Sequence, residues 1–360
     1  MKLGPRFSRR TGFGGLAMVA VAAVVLAACG NPATKVTPTQ AVSKGFGGVV
    51  AQSGFNIKVS LGVTAQQLEQ IATTLGGSGS KLTPQIASTL TDTSIDVDFE
   101  TGHGENIDSK QARTDRDDQF DFAVQIDGAA PLEIRYVDST IYLHADLPTL
   151  LSDFGQPSSA ATKFQSDLQS ANSYVPGITA LGQGQWVSAQ TSALAPLLKD
   201  VKTGYSAASS TVSLKLVDQL RAALDANSTY VNEGTNGGRT EYAVTVAVHS
   251  FVQQAGADLS SSLSSLPDAS DVTKGLTAME SKIPASQTAV FDLYVSNNRV
   301  QEIVIDLNQF KHKFSFAVPL QIQFSSGSPV TIPQGATALN LSKLSSLLGG
   351  LLGGASSTSN

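Results

Sequence analysis

Four segments of this chain alternate between apolar and polar side chains, and this alternation restricts the fold more than any other feature. The clearest segments are 95–99 and 120–126, where apolar side chains take every second position. Segments 242–248 and 314–324 repeat the pattern. Because successive side chains of a strand point to opposite faces, the alternation predicts strands with one buried and one solvated face.

Two pairs of predicted strands flank short turns. Asp138-Ser139 lies between segments 132–136 and 141–144, and Asn297-Asn298 lies between segments 291–295 and 303–307. Asn tolerates the positive φ angles that tight hairpin turns require. Neighbouring strands joined by tight turns run antiparallel, so the sequence predicts an antiparallel sheet.

Helical patterns separate the strands. Thr64 and Gln67 form a capping box, and Gly76-Gly77 ends that helix. Apolar residues keep four-residue spacing over 212–224, and weaker helical patterns occur at 147–154, 162–174, 192–202 and 259–283. The fold class predicted is α+β: a large curved antiparallel sheet, or half-barrel, with helices packed on one face.

The N-terminus has the pattern of an export signal. Four basic residues precede an uncharged, mostly apolar stretch from Gly12 to Ala28. This stretch is shorter than the ~20 residues of a membrane-spanning helix, and no basic stop-transfer cluster follows it. Residues 1–28 are therefore predicted to be a cleaved signal peptide, exported by either the Sec or the twin-arginine route.

Leu26, Ala27, Ala28 and Cys29 resemble the bacterial lipobox, in which the cysteine thiol is acylated before cleavage. Cys29 is the chain's one cysteine, so no disulfide explains it. Acyl chains such as palmitate, at ~0.8 kcal/mol per buried CH₂, would anchor the protein stably. The expected location is the extracytoplasmic face of the cell membrane. The candidate partners there are the membrane itself and a protein of the envelope.

The expected domain organisation has four parts. Residues 1–28 are the signal peptide, and residues 29–48 are the lipidated cysteine and a flexible tether rich in Thr, Pro, Ala and Gln. Residues 49–344 form one α+β domain. Residues 345–360 are a low-complexity tail, expected to be disordered or weakly docked.

Charge and motifs exclude several functions. After the signal peptide, 20 basic residues face 29 acids, and a net charge of −9 disfavours nucleic acid as a partner. Sequence motifs for hydrolases, phosphate loops and redox dithiols are missing, so an enzyme is not expected and no cofactor is implied. The four histidines, His103, His144, His249 and His312, fall in separate segments, and no metal site is expected.

Three segments resemble the actinobacterial LppX and LprG lipoproteins and, more loosely, the LolA-type lipoprotein carriers. They are Gly182–Val187, Tyr230–Val246 and the hairpin at Phe291–Leu307. The resemblance implies a half-barrel sheet that encloses an apolar cavity for the acyl chains of a lipid or lipoprotein. It implies a carrier rather than an enzyme.

Candidate ligand-binding residues follow from this resemblance and from the apolar stripes. They are Trp186, Phe291, Leu293, Val295, Ile303, Ile305 and Leu307. Each of them is equally able to fill a protein core. The preferred hypothesis is a membrane-anchored binder or carrier of an apolar ligand, and the alternatives are an envelope sensor or assembly factor without a cavity and, third, a hydrolase.

Overall fold

Twelve strands form one sheet in the computed structural model, which describes residues 37–76, 82–109, 118–193, 219, 222–263, 277–278, 280–310 and 314–341. The predicted signal peptide, the lipobox with Cys29, and the low-complexity tail lie outside these residues. So do most of the helices predicted at 192–202 and 212–224, part of the one predicted at 259–283, and His312.

The elements follow one another along the chain with strands in three groups. The strands are β1 Gly54–Leu61, β2 Thr93–Glu100, β3 Gln119–Ile126, β4 Ala129–Val137, β5 Thr140–Ala145, β6 Val187–Gln190, β7 Ser228–Asn236, β8 Arg239–Ala247, β9 Thr288–Ser296, β10 Arg299–Asp306, β11 Pro319–Ser326 and β12 Thr337–Ala338. The helices are α1 Pro38–Val50, α2 Ala65–Gly76, α3 Pro84–Thr91, α4 Leu147–Asp153, α5 Ser158–Ala171 and α6 Val248–Leu263. Two 3₁₀ helices span Ile178–Gln183 and Leu307–Phe310.

The spatial order of the strands is β12-β6-β5-β4-β3-β2-β1-β11-β10-β9-β8-β7. Strand β1 lies near the middle and pairs antiparallel with both β2 and β11. All described pairings are antiparallel except the two-residue pairing of β12 with β6. The predicted α+β class with a large antiparallel sheet is therefore confirmed, and a sheet of this width twists and curves.

Helices cover one face of the sheet, here called the apolar face. The main core lies at β8–β11, where Leu293, Ile303 and Ile322 are almost completely buried. Helices α1 and α6 pack on them through residues such as Phe46 and Phe251. At the opposite end of the sheet, the first 3₁₀ helix packs on β5 and β6 in a smaller core.

Both predicted hairpins are confirmed. Asp138-Ser139 joins β4 to β5, and Asn297-Asn298 joins β9 to β10. All four turn residues have positive φ angles between 49° and 59°. Two consecutive left-handed residues define the type I′ turn, whose twist matches that of the flanking strands.

The prediction of a flexible tether over residues 29–48 is wrong from Pro38 onward, because α1 occupies Pro38–Val50. Thr37 and Gln40 form a capping box, and Pro38 opens the helix. Val42, Phe46 and Val49 are buried in the main core at i, i+4 and i+7 spacing. The tether was inferred from the Thr, Pro, Ala and Gln content of the segment and not from its apolar spacing, so the helical period was missed, and the domain begins about ten residues earlier than predicted.

The strand predicted at 314–324 begins only at Pro319. The preceding residues bond to the side chains of Asp306 and Asn308 instead of to a neighbouring strand. Asn308 Nδ2 donates to the carbonyls of Phe314 (2.9 Å) and Phe316 (3.3 Å), and the Val318 N–H donates to Asp306 Oδ1 (2.8 Å). These side chains satisfy backbone groups that a strand would have paired in the sheet.

Because Phe46 is 2% exposed in the main core, Phe46→Ala is expected to lower the free energy of unfolding by about 3–5 kcal/mol. Lys44→Ala, at an exposed position of the same helix, is expected to change it by no more than about 0.5 kcal/mol. Urea denaturation of the two variants measures the difference. Equal stabilities would mean that α1 is a tether after all.

Candidate apolar binding site

Apolar side chains line up in cross-strand rows on the apolar face. One row runs through Phe55, Phe99, Phe120 and Tyr136, which are direct partners on β1, β2, β3 and β4. The next row runs through Ile57, Val97, Phe122, Ile134 and Leu143. A third row runs through Val59, Ile95, Val124 and Leu132. Directly opposed side chains lie ~4.5–5.5 Å apart, so each row is a continuous apolar strip across the strands.

The part of these rows on β2–β5 is only half-buried. It consists of Ile95, Val97, Phe99, Phe120, Phe122, Val124, Ile134, Tyr136 and Ile141, and we call it the open apolar face. Ile95 is 38% exposed, whereas Ile303 and Ile322 in the main core are fully buried. Val97 packs against the main core, and the other residues of the open apolar face belong to no core cluster of the described residues.

The open apolar face lies between two groups of helices. Helices α1 and α6 contact mainly the C-terminal strands β7–β10, together with β1. Helix α4 and the first 3₁₀ helix contact β4, β5 and β6. We call this position between the two groups of helices, on the same side of the sheet, the recess.

The open apolar face is a broad patch on the sheet. Strands lie ~4.8 Å apart, so β2 to β5 span about 14 Å, and three rows cover about 14 Å along the strands. The lining is aliphatic and aromatic, with one phenol, on Tyr136. Such a surface offers dispersion contacts and burial of hydrocarbon but few partners for a polar ligand.

The opposite face of the same strands is polar, yet parts of it are buried. Ala123 and Glu133 are 8% and 9% exposed, although they point away from the apolar face. Residues 327–336, here called the strap, cross this side between β11 and β12. Val330 of the strap is 8% exposed. At β3 and β4 the polar side is therefore covered at least as well as the apolar side, contrary to the usual arrangement of a sheet with one buried face.

A cluster of charged side chains lies beneath the strap. Arg135 Nε lies 3.0 Å from Asp121 Oδ2, and Arg135 also pairs with Glu133. Burial, followed by the charge of Glu133 and a hydrogen bond with it, raises the pKa of Asp121 to about 7, against the lowering effect of Arg135. Near neutral pH this carboxyl group is thus partly protonated.

The structure places Trp186 on the polar side, which we call the strap face. Its ring lies 4.9 Å from the Arg135 guanidinium and 5.2 Å from the His144 ring, and both side chains project from that face. Trp186 is thus on the other side of the sheet from the apolar rows. It is not a member of the open apolar face.

The other predicted ligand-binding residues lie in the packed core. Phe291, Leu293, Val295, Ile303 and Ile305 are all less than 10% exposed, and Leu307 packs against them. Of the two interpretations that the sequence left open, core packing describes their surroundings. Sequence reasoning named none of the open apolar face as ligand-binding, although the alternation in 95–99 and 120–126 showed which side chains share a face.

Two surface grooves, of about 480 and 510 Å³, occur in the described part of the chain. One is lined by residues of β7–β10 including Glu233, Arg239 and Tyr294, and the other by residues at the β4–β5 turn and after β6. Both linings are largely polar, and neither coincides with the open apolar face.

Within the described ranges, no group of three or more His, Cys, Asp or Glu side chains has the arrangement of a metal site. His144 Nε2 lies 3.2 Å from the carbonyl of Gly184, and His249 Nδ1 lies 3.0 Å from that of Ile283.

No helix in the described ranges has both the length and the apolarity to cross a membrane.

Fold and surface together define an α+β protein with an open twelve-stranded sheet and a recessed apolar face. The structure is similar to that of the Mycobacterium tuberculosis lipoprotein LppX, over 83% of this chain and 100% of that one, with a TM-score of 0.30 and 9% identity. At those values the likeness carries no argument about fold or function, both of which depend on this chain's own residues. No protein-family model and no curated protein matches the sequence.

If the open apolar face binds hydrocarbon, the fluorescent probe anilinonaphthalene sulfonate should bind there. Phe122→Ser removes a ring from the centre of the face and is expected to weaken probe binding about five- to tenfold. Val290→Ser is the matched control, because Val290 is 44% exposed on the opposite side of the sheet. Equal losses of probe affinity in the two variants, measured by fluorescence titration, would show that the probe binds elsewhere.

Proposed function

We propose that this protein is a non-enzymatic, membrane-anchored binder or carrier of a lipid, whose acyl chain lies on the open apolar face. The observation that carries the proposal is the unusual burial of β3 and β4: their aromatic and aliphatic rows are half-open, while Ala123 and Glu133 on the polar side beneath the strap are buried. Leaving apolar rows in contact with water is unfavourable, and an apolar occupant removes that cost.

The size of the gain is sufficient for a carrier. Each CH₂ removed from water contributes ~0.8 kcal/mol, so a sixteen-carbon chain contributes on the order of 12 kcal/mol before ordering costs. Only part of the acyl chain is enclosed when it lies on the open apolar face, and this lowers the net affinity for the lipid. Partial enclosure also suits a carrier, because a ligand has to leave as well as bind.

The N-terminal sequence supports a location beside the ligand's source. In this proposal residues 1–28 are removed, Cys29 is acylated, and the domain stays at the extracytoplasmic face of the cell membrane. Residues 29–37 separate the acylated cysteine from α1, and a short linker keeps the effective concentration of the domain at the bilayer high. Extraction of a lipid then requires no free diffusion of the protein.

A second candidate function is binding of an envelope protein, and one observation favours it. The predicted chamber residues at β9 and β10 form a solid core, while the exposed apolar surface lies elsewhere. The open apolar face nevertheless favours a lipid chain, because it offers few hydrogen-bonding groups, whereas a typical protein interface carries ~10 hydrogen bonds.

Native mass spectrometry of the Cys29→Ser chain, purified from its own host without the signal peptide, tests the lipid proposal. A stoichiometric acyl-bearing adduct is expected, with the ligand identified by organic extraction. Phe122→Asp places a carboxylate in the acyl path and is expected to reduce the adduct at least about tenfold, corresponding to ~1.4 kcal/mol.

Val290→Asp is the matched control, because it adds the same charge to the opposite face, and it should leave the adduct unchanged. An apo mass that persists after incubation with membranes would contradict the lipid proposal. In that case, cross-linking in cells would show whether a protein occupies the open apolar face.

Metabolic labelling with radioactive palmitate tests the anchor separately. The full-length chain should incorporate label and fractionate with membranes, and Cys29→Ser should lose both properties. Ser8→Ala keeps the cysteine and serves as the control. Label that persists in the Cys29→Ser chain would show that the lipobox interpretation is wrong, without bearing on the open apolar face.

A further inference from the structure

The strap is attached to the strap face at successive strands. Ser328 N donates to Asp98 Oδ1 on β2 (3.3 Å), and Val330 N donates to the side-chain oxygen of Gln119 on β3 (3.2 Å). Arg135 on β4 donates to the carbonyl and the hydroxyl of Thr331, at 2.8 and 2.9 Å. Side chains of the sheet thus hold the strap, and three of its contacts involve charged groups.

The strap begins at a point where only glycine fits. A Cβ on Gly327 would lie 2.6 Å from the backbone nitrogen of Phe55 and 2.8 Å from the carbonyl oxygen of Phe99. Beyond the strap, Thr337 N donates to the carbonyl of Trp186 (2.8 Å), where β12 joins β6. The segment therefore spans from β1 to the edge of the sheet.

Arg135 connects the strap to a pair of partly buried carboxyl groups, whose side chains are 20% (Asp121) and 11% (Glu133) exposed. Its Nη1 holds Thr331, while its Nε contacts Glu133 Oε1 (2.6 Å) and Asp121 Oδ2 (3.0 Å). One guanidinium thus faces two carboxyl groups, and Asp121 Oδ1 is buried without a donor among the described residues. A proton on Asp121, held in a hydrogen bond with Glu133, supplies the donor that this pair of carboxyl groups lacks.

We propose that the strap is a pH-sensitive latch, which binds the strap face while Asp121 is protonated and separates from it when Asp121 ionises. Ionisation places a second negative charge beside Glu133 in a site that the strap partly shields from water. Separation of the strap lets water reach both carboxylates and removes that cost.

The direction follows from the site. In the closed state, burial and the charge of Glu133 raise the pKa of Asp121 to about 7, from 3.8 for a hydrated carboxyl group. Proton binding therefore favours the closed state in full below pH ~4, and the preference is lost as pH rises through about 7. The charged neighbours are Asp98 on β2, Glu133 and Arg135 on β4, and His144 on β5 opposite Glu133. The strap itself carries no titratable side chain.

Trp186 reports on the latch directly, because it is the chain's one tryptophan and stacks on Arg135. In the mature chain carrying Cys29→Ser, acrylamide quenching of Trp186 is expected to rise about twofold or more between about pH 5 and pH 9, half-complete near pH 7. In Asp121→Asn this side chain stays neutral, so acrylamide quenching of Trp186 is expected to keep its acidic value over the whole pH range.

His144→Gln is the matched control, because a protonated His144 ring would also alter Trp186 fluorescence. The transition should persist in this variant. A transition that disappears with His144→Gln but survives in Asp121→Asn would overturn the proposal, and so would quenching that does not change with pH.

Hydrogen exchange of the unaltered mature chain provides a second measurement, independent of whether Asp121→Asn folds. After correction for the intrinsic pH dependence of exchange, protection of the Ser328, Val330 and Thr337 amides should fall about tenfold or more as pH rises through 7. Amides in the β3–β4 ladder should keep their protection. Equal loss in strap and ladder would indicate general unfolding and contradict a latch.

Discussion

The double pairing of β1 is the interaction on which the rest of the structure depends. One edge of β1 bonds to β2 over Gly54–Ser60, and the other bonds to β11 over Phe55–Leu61. These two ladders join the strands β2–β6 to the strands β8–β11, and so they place α1 and α6 on one side of the recess and α4 on the other. Without β1 the sheet would divide into two smaller sheets, and the two groups of helices would no longer pack on one continuous surface.

Local patterns were sufficient to predict β2, β3 and β8, both hairpins and the class of fold, but they did not identify β1. Two-residue alternation decides which side chains share a face, and turn residues such as Asn297 decide where the chain reverses. The helix at Pro38–Val50 was missed because its apolar period becomes visible only when Phe46 and Val49 are included. The late start of β11 was missed because Asn308 and Asp306 act through bonds that no short-range pattern shows.

The site was harder to predict than the fold, since it is defined by which apolar side chains are left uncovered. Phe122 and Leu293 have the same alternating surroundings in the sequence, yet Leu293 lies under α1 and Phe122 does not. Coverage depends on where helices distant in the chain pack. Trp186 illustrates the same point, because its side of the sheet is decided by Arg135 and His144 on other strands.

The position of β11 also determines when the molecule can assemble. Phe55, near the N-terminus, pairs with Ser326, near the C-terminus, so this ladder forms only when both segments are available. The strap and β12 lie still later in the chain. A central ladder between such distant segments gives a high contact order and slow folding. If the chain is exported as proposed, slow folding would be an advantage, because an unfolded chain can still be threaded across the membrane.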